Sequence, residues 1–311
     1  MNIDNEELKP LSFENEEEQL KPLAFEPNHK DNEDNYIPIS QLSTPEIKNK
    51  ESNFIFFFGT ADSGKSVILS SMLYYLSSQV GVLRPKQGTP NTKEAQVLLS
   101  DFFENIRQGI LPNRTTRDQV TRLDFLFEPN NKSKKIPPIN LTFLETSGEN
   151  HNDIRRGGSY HNSIAAYLNA DIPLTFIIVT SYEKAHKDDT IINEFLDELE
   201  RKGKNLKLVN AILVISKWDK SGKMIVTNEE DLNNFINERL SRTSQRIDTY
   251  GLTKTYYTIG NIQNSNGVEK ITELNLSTAE ILSKWLYQSI VGYSLDYEGT
   301  FWERLKFGFR N

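Results

Sequence analysis

The spacing of apolar residues predicts an α/β fold, with a mostly parallel sheet sandwiched between two layers of helices. Three observations carry that expectation. Residues 54–58 form an unbroken apolar run, as a strand buried on both faces requires. From residue 174 onward, short β-branched and aromatic runs alternate with helical stretches, the pattern of crossover units. Between residues 120 and 144, two strand patterns are separated only by a polar turn, which favours one antiparallel hairpin.

Residues 54–58 give the first strand and 64–78 the first helix. Gly81 and Pro85 are expected to end the helical pattern. Residues 92–107 place Ala95, Leu98, Leu99, Phe102, Phe103 and Ile106 at helical spacing, which reads as core packing. A loop over 109–116 leads to a half-exposed strand at 120–128, in which Leu123, Phe125 and Phe127 alternate with Arg122, Asp124 and Glu128. After the turn at 129–135, residues 139–144 return as a strand. Strands follow at 174–179, 211–215 and 255–259, with helices at 190–201 and 229–250. A last helix starts at Ser277, with Ser277 and Glu280 forming a capping box.

The chemistry-bearing residues fall where strands end, the place where open α/β sheets bind ligands. Directly after the first strand stands Gly59-Thr60-Ala61-Asp62-Ser63-Gly64-Lys65-Ser66. A glycine-rich segment between strand and helix curls its backbone N–H groups around a phosphate, and the helix N-terminus adds partial positive charge. Lys65 would bridge the β- and γ-phosphates and Ser66 would ligate Mg²⁺. Asp62 and Ser63 complete the cradle. After the 139–144 strand, Glu145 would hold Mg²⁺ through water, and Gly148 would bring its N–H to the γ-phosphate. After the 211–215 strand, Asp219 would accept from the two guanine donors N1 and N2, with the Lys217 stem on the base plane.

The formal charge of −7 is unevenly spread. Residues 1–52 hold 13 acidic and 5 basic side chains, net −8, leaving +1 for the remainder. No basic surface of the kind that grips a nucleic-acid backbone is expected on the folded part. Without cysteine there are no disulfides or thiolate metal sites, and a cytoplasmic protein is expected. The chain is expected to divide into an acidic, disordered tail (1–52), a nucleotide-binding domain (53–291) and an aromatic, basic extension (292–311). In the tail, Leu8-Lys9-Pro10-Leu11-Ser12-Phe13-Glu14 returns as Leu20-Lys21-Pro22-Leu23-Ala24-Phe25-Glu26. This reads either as a silent duplication or as a docking peptide presented twice. The extension, with Phe301, Trp302, Leu305 and Phe309 on one helical face, reads as core packing, a protein-partner site or a peripheral membrane contact.

In the order of its motifs the chain resembles the Ras-like, translation-factor-related class of P-loop GTPases over residues 53–290, and more closely their bacterial double-GTPase relatives, often encoded in multi-protein gene neighbourhoods. The resemblance implies a P-loop NTPase three-layer sandwich with one antiparallel strand, GTP/GDP and Mg²⁺ as ligands, and switches at 109–120 and 145–160. It also implies Thr115 or Thr116 as the switch threonine on Mg²⁺ and the γ-phosphate, and residues 258–260, with Ile259, as the last base-contacting loop. Arg114 would serve as an arginine finger and Glu149 would stand at the water-orienting position. Three residues depart from the family pattern: Glu145 replaces Asp, Ser216 replaces Asn and Glu149 replaces Gln. These leave nucleotide binding better supported than hydrolysis, so a P-loop ATPase or kinase and a non-hydrolysing scaffold stand as rivals.

Overall fold

The computed structural model describes residues 47, 49–89, 92–112, 120–146, 148, 160, 162–222, 229–265 and 268–298. The chain divides into two compact units, Met1–Ser43 and Thr44–Asn311, and every described residue lies in the second. The duplicated tail motif and the aromatic segment from 301 onward lie outside the described residues.

The main sheet comprises β1 (Asn53–Phe58), β2 (Gly81–Pro85), β3 (Val120–Pro129), β4 (Ile139–Thr146), β5 (Leu174–Ser181), β6 (Asn210–Ser216) and β7 (Thr253–Tyr256). Their order is β2-β3-β4-β1-β5-β6-β7. β1 pairs in parallel with β4 and β5, and β5–β6 and β6–β7 are also parallel. β3 is antiparallel to both of its neighbours, so it alone runs against the rest. Together with the loop after β1, this is a mostly parallel α/β sandwich of the P-loop NTPase kind.

Strand alternation explains the three layers. On β1, Ile55 and Phe57 enter one core with residues of α1 (Lys65–Tyr75), α2 (Thr92–Arg107) and α7 (Ser277–Val291). Phe54, Phe56 and Phe58 enter the other with residues of α3 (Asn162–Asn169), α4 (Ala185–Arg201), α5 (Glu229–Arg239) and α6 (Ser241–Tyr250). Five consecutive apolar residues are therefore needed, because both faces of the central strand are dry. Phe195 of α4 stacks on Phe58 at 4.0 Å between ring centroids, seating α4 next to the end of β1.

Several elements differ from expectation. Gly81 and Pro85 do not merely end a helix; they bracket β2. A Cβ on Gly81 would lie 2.5 Å from the Glu128 carbonyl oxygen, so only glycine lets this strand close on β3. α4 begins at Ala185, earlier than expected, and α3 carries too few residues to announce itself. The stretch 229–250 is two helices broken at Leu240 (φ −130°, ψ 46°). Asp189 of α4 accepts from the backbone N–H groups of Arg242 and Thr243 (3.3 and 3.0 Å), so another helix supplies the cap that starts α6. At α7 the expected capping box is absent. Asn275 Oδ1 accepts from the Ser277 N–H (2.9 Å), and Glu280 pairs with Lys284 one turn on. The last strand of the sheet stops at Tyr256, and an unexpected hairpin follows, β8 (Gly260–Ser265) and β9 (Val268–Leu274).

Part of the C-terminal extension packs on the domain. Asn131 Nδ2 donates to the carbonyls of Leu295 and Tyr297 (3.1 and 2.9 Å), Lys135 donates to the Tyr297 hydroxyl (3.0 Å), and Leu295 is buried. For residues 292–298 the core-packing reading therefore holds. No helix among the described residues is long and apolar enough to cross a membrane.

Candidate functional site

The loop between β1 and α1 is held on three sides. Gly59 runs so close to β5 that a Cβ there would lie 2.3 Å from the Val179 carbonyl oxygen. Asp62 (φ 64°) and Gly64 (φ 92°) adopt left-handed backbone, which turns the chain into the first N–H groups of α1. From α4, the buried Asp188 carboxylate accepts from Thr60 Oγ1 (3.1 Å) and Thr180 Oγ1 (2.7 Å). From the end of β6, Ser216 Oγ donates to the Ser63 carbonyl (2.5 Å). Ser216 is smaller than the asparagine of the family pattern, yet it still braces the loop through this one bond.

Lys65 is 6% exposed, and its ammonium donates to the carbonyls of Gly59 (2.7 Å) and Thr60 (3.0 Å). Burial pulls its pKa down to about 8, against the opposing pull of the Glu145 and Asp188 charges. Ser66 Oγ donates directly to Glu145 Oε1. Ser63 Oγ, inside the loop, and Ser181 Oγ, at the end of β5, are buried without a hydrogen-bond partner. An unpartnered, buried hydroxyl in this loop suits an anionic ligand that can accept from it.

The donor set also fits Mg²⁺. The Ser66 hydroxyl and the Glu145 carboxylate are adjacent hard oxygen donors. Among the described residues no group of three or more His, Cys, Asp or Glu side chains gathers to form a metal site. Gly148 was expected to present its N–H to a γ-phosphate. Its backbone lies against the loop, where a Cβ would be 2.1 Å from the Ala61 nitrogen.

At the other end of the site, Lys217 takes a left-handed conformation (φ 54°) between β6 and the 3₁₀ turn Trp218–Ser221. Its ammonium lies 3.2 Å from Asp62, and Lys184 lies 3.4 Å from the same carboxylate. Burial would raise the Asp62 pKa, but these two ammonium groups outweigh it and hold the carboxyl below its usual value. Asp62 thus ties the phosphate loop to the Lys217 turn. Asp219 is raised above the usual carboxylate value by partial burial, and the nearby Glu183 charge pushes the same way. Trp218 is buried at this turn in edge contacts with Tyr182 and Phe235 (5.5 and 5.4 Å), and its backbone N–H donates to the Tyr257 carbonyl (3.2 Å). Thr278 Oγ1 donates to the Thr258 carbonyl (2.6 Å), fixing the loop that carries Ile259.

Asp62, Gly64, Ser216, Lys217, Asp219 and Ile259 all line one pocket of ≈ 290 Å³. Of the sequence-predicted phosphate residues, Asp62 and Gly64 share this pocket with the base-side residues Lys217, Asp219 and Ile259. Arg114, Thr115, Thr116 and Glu149 lie outside the described residues. Sequence reasoning missed Asp188, Lys184, Glu183 and Glu269. The Asp188–Thr60 contact spans 128 residues, and no local pattern signals it.

The sheet order and the loop after β1 are those of a mostly parallel α/β sandwich, consistent with the P-loop NTPase fold. No family model matches the sequence, and no curated protein does. Among solved structures, the Methanosarcina barkeri Roco2 RocCORdC bound to GDP matches at 11% identity with a TM-score of 0.30, over 64% of this chain and 48% of that one. The present chain therefore spans about half the length of that protein. The signal recognition particle receptor SRb-GTP/SRX complex from Chaetomium thermophilum matches at 11% identity with a TM-score of 0.41, over 76% of this chain and 98% of that one. Neither likeness is close enough to transfer a residue's role.

Proposed function

We propose that the chain is a GTP-binding molecular switch that hydrolyses GTP slowly with Mg²⁺ and acts in the cytoplasm within a multi-protein bacterial assembly. One observation carries the nucleotide reading: Asp219 and Lys217 line the same pocket as Asp62 and Gly64 of the phosphate loop. A carboxylate at this position accepts from the N1 and N2 donors of guanine, whereas adenine has no such donor pair. Gly59 and Gly64 shape the cradle and Lys65 neutralises phosphate charge. Ser66 and Glu145 would hold Mg²⁺, which neutralises charge on the β- and γ-phosphate oxygens when bound. Thr116 would join them through the metal, with Arg114 and Glu149 acting at the γ-phosphate. The duplicated tail motif and the segment beyond residue 298 would dock protein partners.

Titration with GDP, GTP and ATP, followed by single-turnover hydrolysis, tests this reading. Guanine nucleotides should bind and ATP should not, Lys65→Ala should abolish binding, and GTP should turn over slowly in the presence of Mg²⁺. Preference for ATP would replace the reading with the ATPase rival. Tight GTP binding without turnover would leave a non-hydrolysing scaffold.

A further inference from the structure

The β8–β9 hairpin lies outside the main sheet, yet it reaches the nucleotide pocket. Ile262 of β8 and Glu269 of β9 line that pocket with Lys217 and Asp219, and so does Leu111, just past α2. A joint between the end of α2 and β9 helps hold these residues in place. The Ile271 N–H donates to the Gly109 carbonyl (2.7 Å), and Ile110 bridges to Lys270. Gly109 has φ 69°, and a Cβ on it would lie 2.4 Å from the Ile271 carbonyl oxygen. The end of α2 is thus pressed onto β9, and Leu111 and Glu269 each follow or precede that contact by two residues.

We propose that this hairpin is part of the nucleotide site, with Glu269 accepting hydrogen bonds from the ribose hydroxyls and Leu111 and Ile262 covering apolar surface of the nucleoside. The inference rests on the guanine-nucleotide reading above. It follows from counting donors. A carboxylate only accepts hydrogen bonds, and phosphate oxygens offer it none and repel it. On guanosine, Asp219 takes N1–H and one amino hydrogen. Glu183 lines the same pocket and acts on the Asp219 charge. With Asp62 engaged by Lys184 and Lys217, the ribose 2′ and 3′ hydroxyls are donors open to Glu269, the carboxylate that the hairpin brings to the pocket.

Isothermal titration of the full chain with GDP and with 2′,3′-dideoxy-GDP tests this directly. Hydrogen bonds to a charged acceptor predict that the wild type prefers GDP by about 10- to 100-fold. Glu269→Ala should bind both ligands as weakly as the wild type binds the dideoxy form, and Glu269→Gln, which keeps a carbonyl acceptor, should retain part of the preference. Glu269 is exposed, so both variants should fold, with unchanged melting temperature as the control. Leu111→Ala should speed release of both ligands equally. An undiminished preference for GDP in Glu269→Ala overturns the ribose assignment alone. Failure of the wild type to bind any guanine nucleotide overturns both the assignment and the reading beneath it.

Discussion

Replacing Asp188 with alanine should loosen the phosphate loop from behind. Asp188 is 4% exposed, and its carboxylate accepts from Thr60 Oγ1 and Thr180 Oγ1, themselves 9% and 0% exposed. Truncation leaves two buried hydroxyls without this acceptor, at about 1–3 kcal/mol each, less the desolvation cost the carboxylate no longer bears. A net loss of about 2–4 kcal/mol follows, or a drop in Tm of about 4–16 °C at the ~2–4 °C per kcal/mol expected for a domain of this size. Nucleotide affinity should suffer separately, because the Thr60 carbonyl holds Lys65 and the Asp188 charge helps keep that lysine protonated. Urea unfolding and GDP titration of Asp188→Ala, Thr60→Val and the double variant form a cycle that isolates the contact, with an expected coupling of about 1–2 kcal/mol. A loss below about 0.5 kcal/mol for Asp188→Ala, within the range of ordinary surface changes, together with unchanged GDP affinity, would refute the bracing argument.

Three further outcomes follow from the same geometry. Asp219→Ala should weaken GDP binding by about 100-fold, through loss of a charged acceptor for two donors, and leave inorganic pyrophosphate binding unchanged in competition titrations. Lys65 should take up a proton as nucleotide binds above pH 8, because its pKa of about 8 must rise beside phosphate. GDP affinity should then fall up to about tenfold per pH unit above that value, and titrations in buffers of different ionisation enthalpy would detect the uptake. The free protein should behave oppositely: the folded pKa lies below the ordinary 10.5, the unfolded chain holds the proton longer, and this residue's contribution to stability rises with pH between about 8 and 10.5. Asp189→Ala removes the cap of α6, including the 2.7 Å bond from Thr243 Oγ1, and should cost about 1–2 kcal/mol by urea unfolding.

The central strand, the phosphate loop and the base-side turn were legible in sequence because each is written locally. An apolar run, two glycines ahead of Lys65-Ser66, and Asp219 just past a strand need no knowledge of the rest of the chain. α2 was equally legible, since its amphipathic pattern spans four turns. What escaped depends on partners far along the chain. The break at Leu240 carries no glycine or proline, and its cap comes from Asp189, 53 residues away from Arg242. β2 has too few residues to show a period and exists through its pairing with β3. The β8–β9 hairpin did carry a signal, Asn266-Gly267 between strand-like runs, but its polar strands hid it. Glu269 and its place in the pocket were lost with the hairpin.

β2 also changes what the molecule can offer a neighbour. With β2 in place, the backbone groups on the outer side of β3 are taken over Phe125–Pro129, so a visiting peptide cannot extend the sheet along that half of the strand. The outermost position passes to a five-residue strand that closes on Pro85, which has no N–H to give, and whose Arg84 is tied to Glu128 across the pair at 2.9 Å. A partner that comes to that half of β3 therefore meets a short, proline-ended rim flanked by the Arg84–Glu128 pair.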